Sequence, residues 1–113
     1  MNYGKIYKDN LMNSVIPFWV RNSVDQENQG FFTCLNRDGE VYDTDKFMWL
    51  QCRQVWTFSM LYQQVERNAE WLKMAEDGAR FLQKFGRDEE LNWYFSVTRE
   101  GKPLTQAYNI FSD

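Results

Sequence analysis

Phe31-Phe32-Thr33-Cys34-Leu35-Asn36-Arg37-Asp38-Gly39-Glu40-Val41-Tyr42 returns 62 residues later as Trp93-Tyr94-Phe95-Ser96-Val97-Thr98-Arg99-Glu100-Gly101-Lys102-Pro103-Leu104. Arg37 falls on Arg99, Asp38 on Glu100 and Gly39 on Gly101, with an aromatic pair leading each copy. Asp-Gly or Glu-Gly between apolar residues predicts a hairpin turn, with strands on either side. Each copy is followed by a segment rich in aromatics with helical spacing. A recurring unit of strand, turn, strand and helices marks an array whose neighbours bury each other's apolar faces. Two copies do not close such an array, so the chain is expected to be the first part, residues 1–113, of a larger helical toroid.

Working outward, apolar residues from Tyr3 to Trp19 recur at three- and four-residue steps and predict a helix, with Pro17 disturbing its last turn. Arg21 to Gly30 is polar and predicts a loop. Asp43, Thr44 and Asp45 offer capping oxygens for a helix over about 45–65. That segment is apolar nearly all round, so it is expected to be buried on several sides. Asn68 caps a third helix over about 69–85, with Leu72, Ala75, Ala79 and Leu82 as its stripe and Gly86 as its C′ residue. This helix is amphipathic and should lie on the outside. The second hairpin is expected over about 92–105, and a further helix from Gln106.

Composition narrows the function. The chain is 18% aromatic, with a mean hydropathy of -0.67, so large rings coexist with many polar groups. Rings packed between helices explain most of them; carbohydrate sites and partner interfaces are the other surfaces that use them. Net charge is -3 with both signs interspersed, which argues against a nucleic-acid partner. The first twenty residues mix charges with apolar residues, which suits neither a signal segment nor a membrane span. Two cysteines, Cys34 and Cys52, make no disulfide framework and point to a reduced, cytoplasmic setting. There is no histidine at all, so neither a histidine-based acid/base pair nor a zinc site can be assembled from this stretch. No metal or other cofactor is expected.

On the second helix, Trp49, Cys52, Arg53, Trp56 and Met60 share one face at steps of three and four. A guanidinium on a helix with little exposed surface needs an anion, a ligand or aromatic faces. Two readings stand. In one, Arg53 pairs with a carboxylate on a neighbouring helix and stacks on Trp; in the other, its donors face a central cavity and hold ligand oxygens, with Trp49 stacking on an apolar sugar face. Tyr108 and Phe111 lie three apart further on, and the repeat places Phe111 on Trp49, so both could line the same central face. Asp25, Glu27 and Asn28 lack metal-ligand spacing and are expected in a solvated loop. Glu66 and Glu70 are expected on a solvated face, and no base is visible near Cys52 to activate it.

At Lys46-Phe47-Met48-Trp49-Leu50-Gln51-Cys52-Arg53-Gln54-Val55-Trp56 the chain resembles the N-acylglucosamine 2-epimerase (renin-binding protein) family. Asn10 to Trp19, Gly30 to Leu35 and Gln106 to Asp113 resemble other segments of that family, so the similarity runs over essentially all 113 residues. The resemblance implies an all-α fold with small β-hairpins, a partial (α/α)6 toroid whose central cavity binds a sugar. It implies epimerisation at C2, or aldose–ketose isomerisation, through an enediolate-like intermediate on a small-molecule sugar. It also implies that Arg53 contacts substrate oxygen, and that Trp49, Tyr108 and Phe111 line the sugar pocket. The family's proton-transferring histidines have no counterpart here, and no phosphate-cradling glycine loop occurs. The chain by itself is therefore expected to be inactive. The alternative is a non-catalytic fragment that acts as a carbohydrate-binding or protein-interaction piece, self-associating through exposed apolar faces.

Overall fold

Three helical stretches form where the apolar spacing predicts them, in a computed structural model that describes residues 2–106. The further helix expected from Gln106, with Tyr108 and Phe111, lies outside the described residues. The side chain of Asn2 accepts from the Lys5 N–H at 3.1 Å and starts α1, Tyr3–Asn10. Leu11–Val15 is a π turn, in which the Ile16 N–H reaches the Leu11 carbonyl, and α2 follows over Ile16–Asn22. Pro17 explains the widened turn: it has no N–H, and its ring would press on the carbonyl of Asn13 in a regular α-helix. The expected disturbance is therefore real but sits one turn earlier, and the helix runs on beyond Trp19. Ser23 ends it, its N–H bonding the Trp19 carbonyl at 2.9 Å.

The repeat is realised in backbone detail. In the first hairpin, β1 (Cys34–Leu35) pairs antiparallel with β2 (Val41–Asp43). The Asn36 N–H bonds the Glu40 carbonyl at 2.9 Å, and the Gly39 N–H bonds that of Asn36 at 3.0 Å. In the second, β4 (Ser96–Val97) pairs with β5 (Pro103–Thr105), and Thr98, Gly101 and Lys102 repeat the same two bonds at 2.8 and 2.9 Å. Gly39 and Gly101 take φ of 88° and 99°, a region that a Cβ disfavours. The short strand β3 (Lys46–Phe47) adds antiparallel to β4, so the second hairpin is stitched to the segment that follows the first.

That strand corrects the expected helix start. Asp43 Oδ1 accepts from the Asp45 N–H at 2.8 Å, closing a turn rather than a helix, and α3 spans Met48–Gln64 with no side-chain cap. Asn68 does cap α4, Ala69–Phe85, accepting from Glu70 and Trp71. The buried face of α4 is Trp71, Met74, Ala75, Gly78, Phe81 and Leu82, one residue round from the expected stripe, and Ala79 faces solvent. Trp71 and Phe81 outcompete smaller residues for burial because they remove more apolar area from water. Gly78 sits where any Cβ would lie 2.6 Å from Phe31 and 2.7 Å from Val55, so the two helices approach closely there. Gly86 is in the right-handed region, not the left-handed C′ form; its small size matters instead, since a Cβ would lie 2.6 Å from the Trp93 ring.

The expectation that α3 is buried on several sides is only half met. Met48, Gln51, Phe58 and Leu61 face α4 and the loop before β1, whereas Trp49 and Trp56 are 37% and 64% exposed. Two apolar clusters make the core, one around Phe31, Phe58, Leu61 and Trp71, the other around Met48, Phe81 and Val97. α1 buries nothing: Tyr3, Ile6 and Tyr7 are exposed, and the molecule is long, 52 × 28 × 25 Å. No helix of the described residues is long and apolar enough to cross a membrane.

Candidate functional site

The rotation of α3 about its axis decides which side chains reach the open face. Gln51, fully buried, sets it: its Nε2 donates to the Phe31 carbonyl at 2.7 Å and its Oε1 accepts from the Phe31 N–H at 2.8 Å. With Gln51 turned inward, residues one and two steps round the helix turn outward. Trp49, Cys52, Arg53 and Trp56 accordingly line one open concavity of about 430 Å³. Met60, expected with them, lines a different groove of about 410 Å³ between the N-terminal helices and α3, alongside Leu11, Val15, Trp19 and Thr33. Arg53 stands on the ridge between the two and borders both.

Arg53 is exposed, not buried as the helix composition suggested. Its Cζ lies 5.5 Å from the centre of the Trp49 ring, a cation–π contact that holds the guanidinium plane. Among the described residues no carboxylate lies within ion-pair distance of it, and its donors are directed to no side-chain acceptor. Burial pushes the Cys52 thiol up, so it stays protonated near neutrality and is no nucleophile. Thr33 Oγ1, which borders the apolar groove, is the one buried side-chain polar atom among the described residues without a hydrogen-bond partner. No group of three or more His, Cys, Asp or Glu among the described residues could hold a metal ion.

Sequence reasoning missed the cluster that anchors this face. Asp25 is buried, not solvated: its Oδ2 takes Lys46 Nζ at 2.8 Å and Arg99 Nε at 3.1 Å, and its Oδ1 takes Arg99 Nη2 at 3.2 Å. Lys46, also fully buried, donates further to the carbonyls of Gln29 and Arg99 and lies 4.4 Å from the Phe81 ring centre. Burial depresses the Lys46 ammonium, against the bond to Asp25, which favours its charge. Lys46 lies two residues before the start of α3, so the cluster holds the short strand that leads into that helix. Residues 21 and 74 positions apart meet here, and no local spacing signals the meeting.

Known proteins share this fold. A sequence profile described as N-acylglucosamine 2-epimerase (GlcNAc 2-epimerase) matches residues 30–113. The chain belongs to that family. It is 41% identical to the N-acylglucosamine 2-epimerase of Bos taurus over 96% of this chain and 28% of that protein. The Rattus norvegicus enzyme of the same name is 44% identical over 90% of the chain and 25% of the relative. A cellobiose 2-epimerase of Bacteroides fragilis is 32% identical over 90% and 26%. The chain thus spans about a quarter of the length of the curated relatives it matches. Among solved structures, a sugar epimerase from a ruminal bacterium superposes with a TM-score of 0.77 at 30% identity, covering 88% of this chain and 25% of that one. Cellobiose 2-epimerase from Bacillus thermoamylovorans gives 0.79 at 28% identity, over 89% and 26%. The fold is that of the epimerases' (α/α)6 barrel, of which this family member shows helices and small antiparallel sheets.

Proposed function

We propose that this segment forms one wall of the sugar site of a 2-epimerase, with Arg53 holding substrate oxygen and Trp49 stacking on the sugar face. The observation that carries the reading is the placement of Arg53, exposed in a concavity beside Trp49, Cys52 and Trp56 and stacked on an indole rather than on a carboxylate. A structural ion-pair residue would have an acid beside it. In the reaction, a proton leaves the carbon next to the open-chain carbonyl, negative charge gathers on the carbonyl oxygen, and a proton returns to the opposite face. A planar fork of donors held in advance suits that developing charge. The family resemblance assigns Tyr108 and Phe111, which lie outside the described residues, to the same sugar pocket, and N-acylated glucosamine or a related aldose is the substrate. The proton-transferring groups lie elsewhere in the enzyme, because this chain contains no histidine.

The test is Arg53→Lys in the epimerase that bears this segment. Lysine keeps the charge and loses the fork, so kcat should fall by roughly a hundred- to thousandfold, the usual cost of an oxyanion contact, with a smaller change in KM. Thermal stability should barely move, because Arg53 is exposed. Near-normal kcat with a large loss of stability would remove Arg53 from the site. The isolated chain, incubated with N-acetylmannosamine in deuterated water, should incorporate no deuterium at C2 above a buffer control.

A further inference from the structure

The loop that leads from α2 into the first hairpin is closed by its own backbone, and α3 is fastened to it at two points. The Phe32 N–H bonds the Ser23 carbonyl at 2.6 Å, the Asp25 N–H bonds that of Gly30 at 3.2 Å, and Val24 and Phe31 form an antiparallel bridge. Asp25 locks this loop to Lys46 and Arg99. Two glutamines three residues apart on α3 grip it. Gln51 takes both backbone groups of Phe31, at 2.7 and 2.8 Å, as a neighbouring strand would. Gln54 donates from Nε2 to Ser23 Oγ at 2.8 Å, and that hydroxyl donates in turn to the Trp19 carbonyl. Gln51, Phe31 and Ser23 are all buried.

At about 100° per residue, Gln51 and Gln54 lie about 180° round α3 from the face that carries Trp49, Cys52, Arg53 and Trp56. Whatever fixes one face therefore fixes the other. The apolar residues on the buried side, Met48, Phe58 and Leu61, resist small rotations weakly, because contacts between apolar groups have no direction. Hydrogen bonds do have direction, and Gln51 strains both of its bonds together if the helix turns. The Met48 N–H, bonded to the Phe95 carbonyl at 3.0 Å, ties only the first residue of the helix. We propose that Gln51 and Gln54 are positioning residues for Arg53, a two-point clamp that sets the rotation and height of α3 and so aims the guanidinium and the Trp49 ring.

This rests on the reading of Arg53 as the group that holds substrate oxygen. A side-chain end lies about 5–6 Å from a helix axis, so a rotation of ~10° moves it by ~1 Å. A misplacement of ~1 Å can cost roughly a hundredfold in rate, even from a substitution far from the chemistry. Gln51 is fully buried, so it acts through the helix and not on the sugar.

Steady-state kinetics of the epimerase that bears this segment test the clamp, at a temperature where thermal melts show each variant folded. Gln51→Met keeps length and bulk but makes neither bond. Gln54→Met and Ser23→Ala break the second point from opposite ends, and they decide the matter if Gln51→Met does not fold. Gln51→Met should lower kcat by roughly ten- to hundredfold, with a smaller change in KM. The other two should each lower it by roughly three- to tenfold, and by the same factor as each other. Combined with Arg53→Lys, each should cost less than about a further twofold, because residues that act through one group are not additive. Lower melting temperatures with kcat kept, or losses that multiply with that of Arg53→Lys, mark a purely structural role and would overturn the proposal. So would a loss in Gln54→Met that Ser23→Ala does not share. Near-normal kcat in Arg53→Lys alone brings down the sugar-site reading and the clamp with it; a slow Arg53→Lys beside normal glutamine variants refutes the clamp alone.

Discussion

Replacing Asp25 by Asn should destabilise the chain far more than replacing its partner Lys46 by Met. Asparagine keeps an oxygen for the Glu27 and Asn28 N–H groups but removes the charge that Lys46 and Arg99 meet at 2.8 and 3.1 Å. The Lys46 side chain has 0% exposure, so its ammonium would face no anion and no water. Breaking a buried pair in this way costs about 3–5 kcal/mol, a large part of the ~5–15 kcal/mol that holds a domain together. For a chain of this size that is a fall in Tm of about 15–25 °C. Lys46→Met leaves Asp25 still joined to Arg99 and lays a thioether near the Phe81 ring, so its cost is smaller. The double variant, with neither buried charge, should be more stable than Asp25→Asn alone, because an apolar replacement of a buried pair is close to neutral. Urea unfolding followed by far-UV circular dichroism measures all four proteins. Additive losses in the double variant would refute the claim that the penalty lies in the stranded ammonium.

The same carboxylate sets the acid limb of stability. Burial alone would raise its pKa, but the bonds from Arg99, Lys46 and the Asn28 N–H outweigh that and hold it at about 2, against an ordinary 3.8. The folded value lies below the unfolded one, so this contribution is complete above the ordinary value and is lost as pH falls from about 4 to 2. Its size is about 2 kcal/mol. Wild-type chain should therefore lose more stability across that window than Asp25→Asn does.

Gln51→Leu should strand the buried N–H and carbonyl of Phe31, at about 1–3 kcal/mol each. Denaturant titration reads the loss, and restored accessibility of the Phe31 amide to hydrogen exchange locates it. Gly101→Ala would force a side chain into positive φ and against the Phe85 ring, for about 2–4 kcal/mol. A melting temperature unchanged from wild type would show that the second turn tolerates a Cβ and that its repeat of Gly39 is incidental.

The hairpins were legible because their cause is local. A turn that needs positive φ selects glycine whatever surrounds it, so Gly39 and Gly101 announced both turns and the repeat between them. Helix existence was legible for the same reason, from spacing. Boundaries and faces were not. Nothing within reach of Lys46 in sequence says that it will join a strand, and capping oxygens at Asp43 to Asp45 read equally well as a helix start. The open side of α3 misled in the same way: its composition fits burial, but composition does not say whether a partner is present to cover Trp49 and Trp56.

What the sequence by itself determined is the recurring unit, its helical class, its family resemblance, and the absence of any histidine to move a proton. Each follows from residue types and short-range spacing, which folding does not alter. What only the tertiary structure decided is which charges are buried and which are presented. Asp25 reads as solvent-facing and is locked between Lys46 and Arg99; Arg53 reads as buried and lies open on an indole. Burial is a property of the neighbours that the chain brings together from 21 and 74 residues away, and no window along the sequence contains them both.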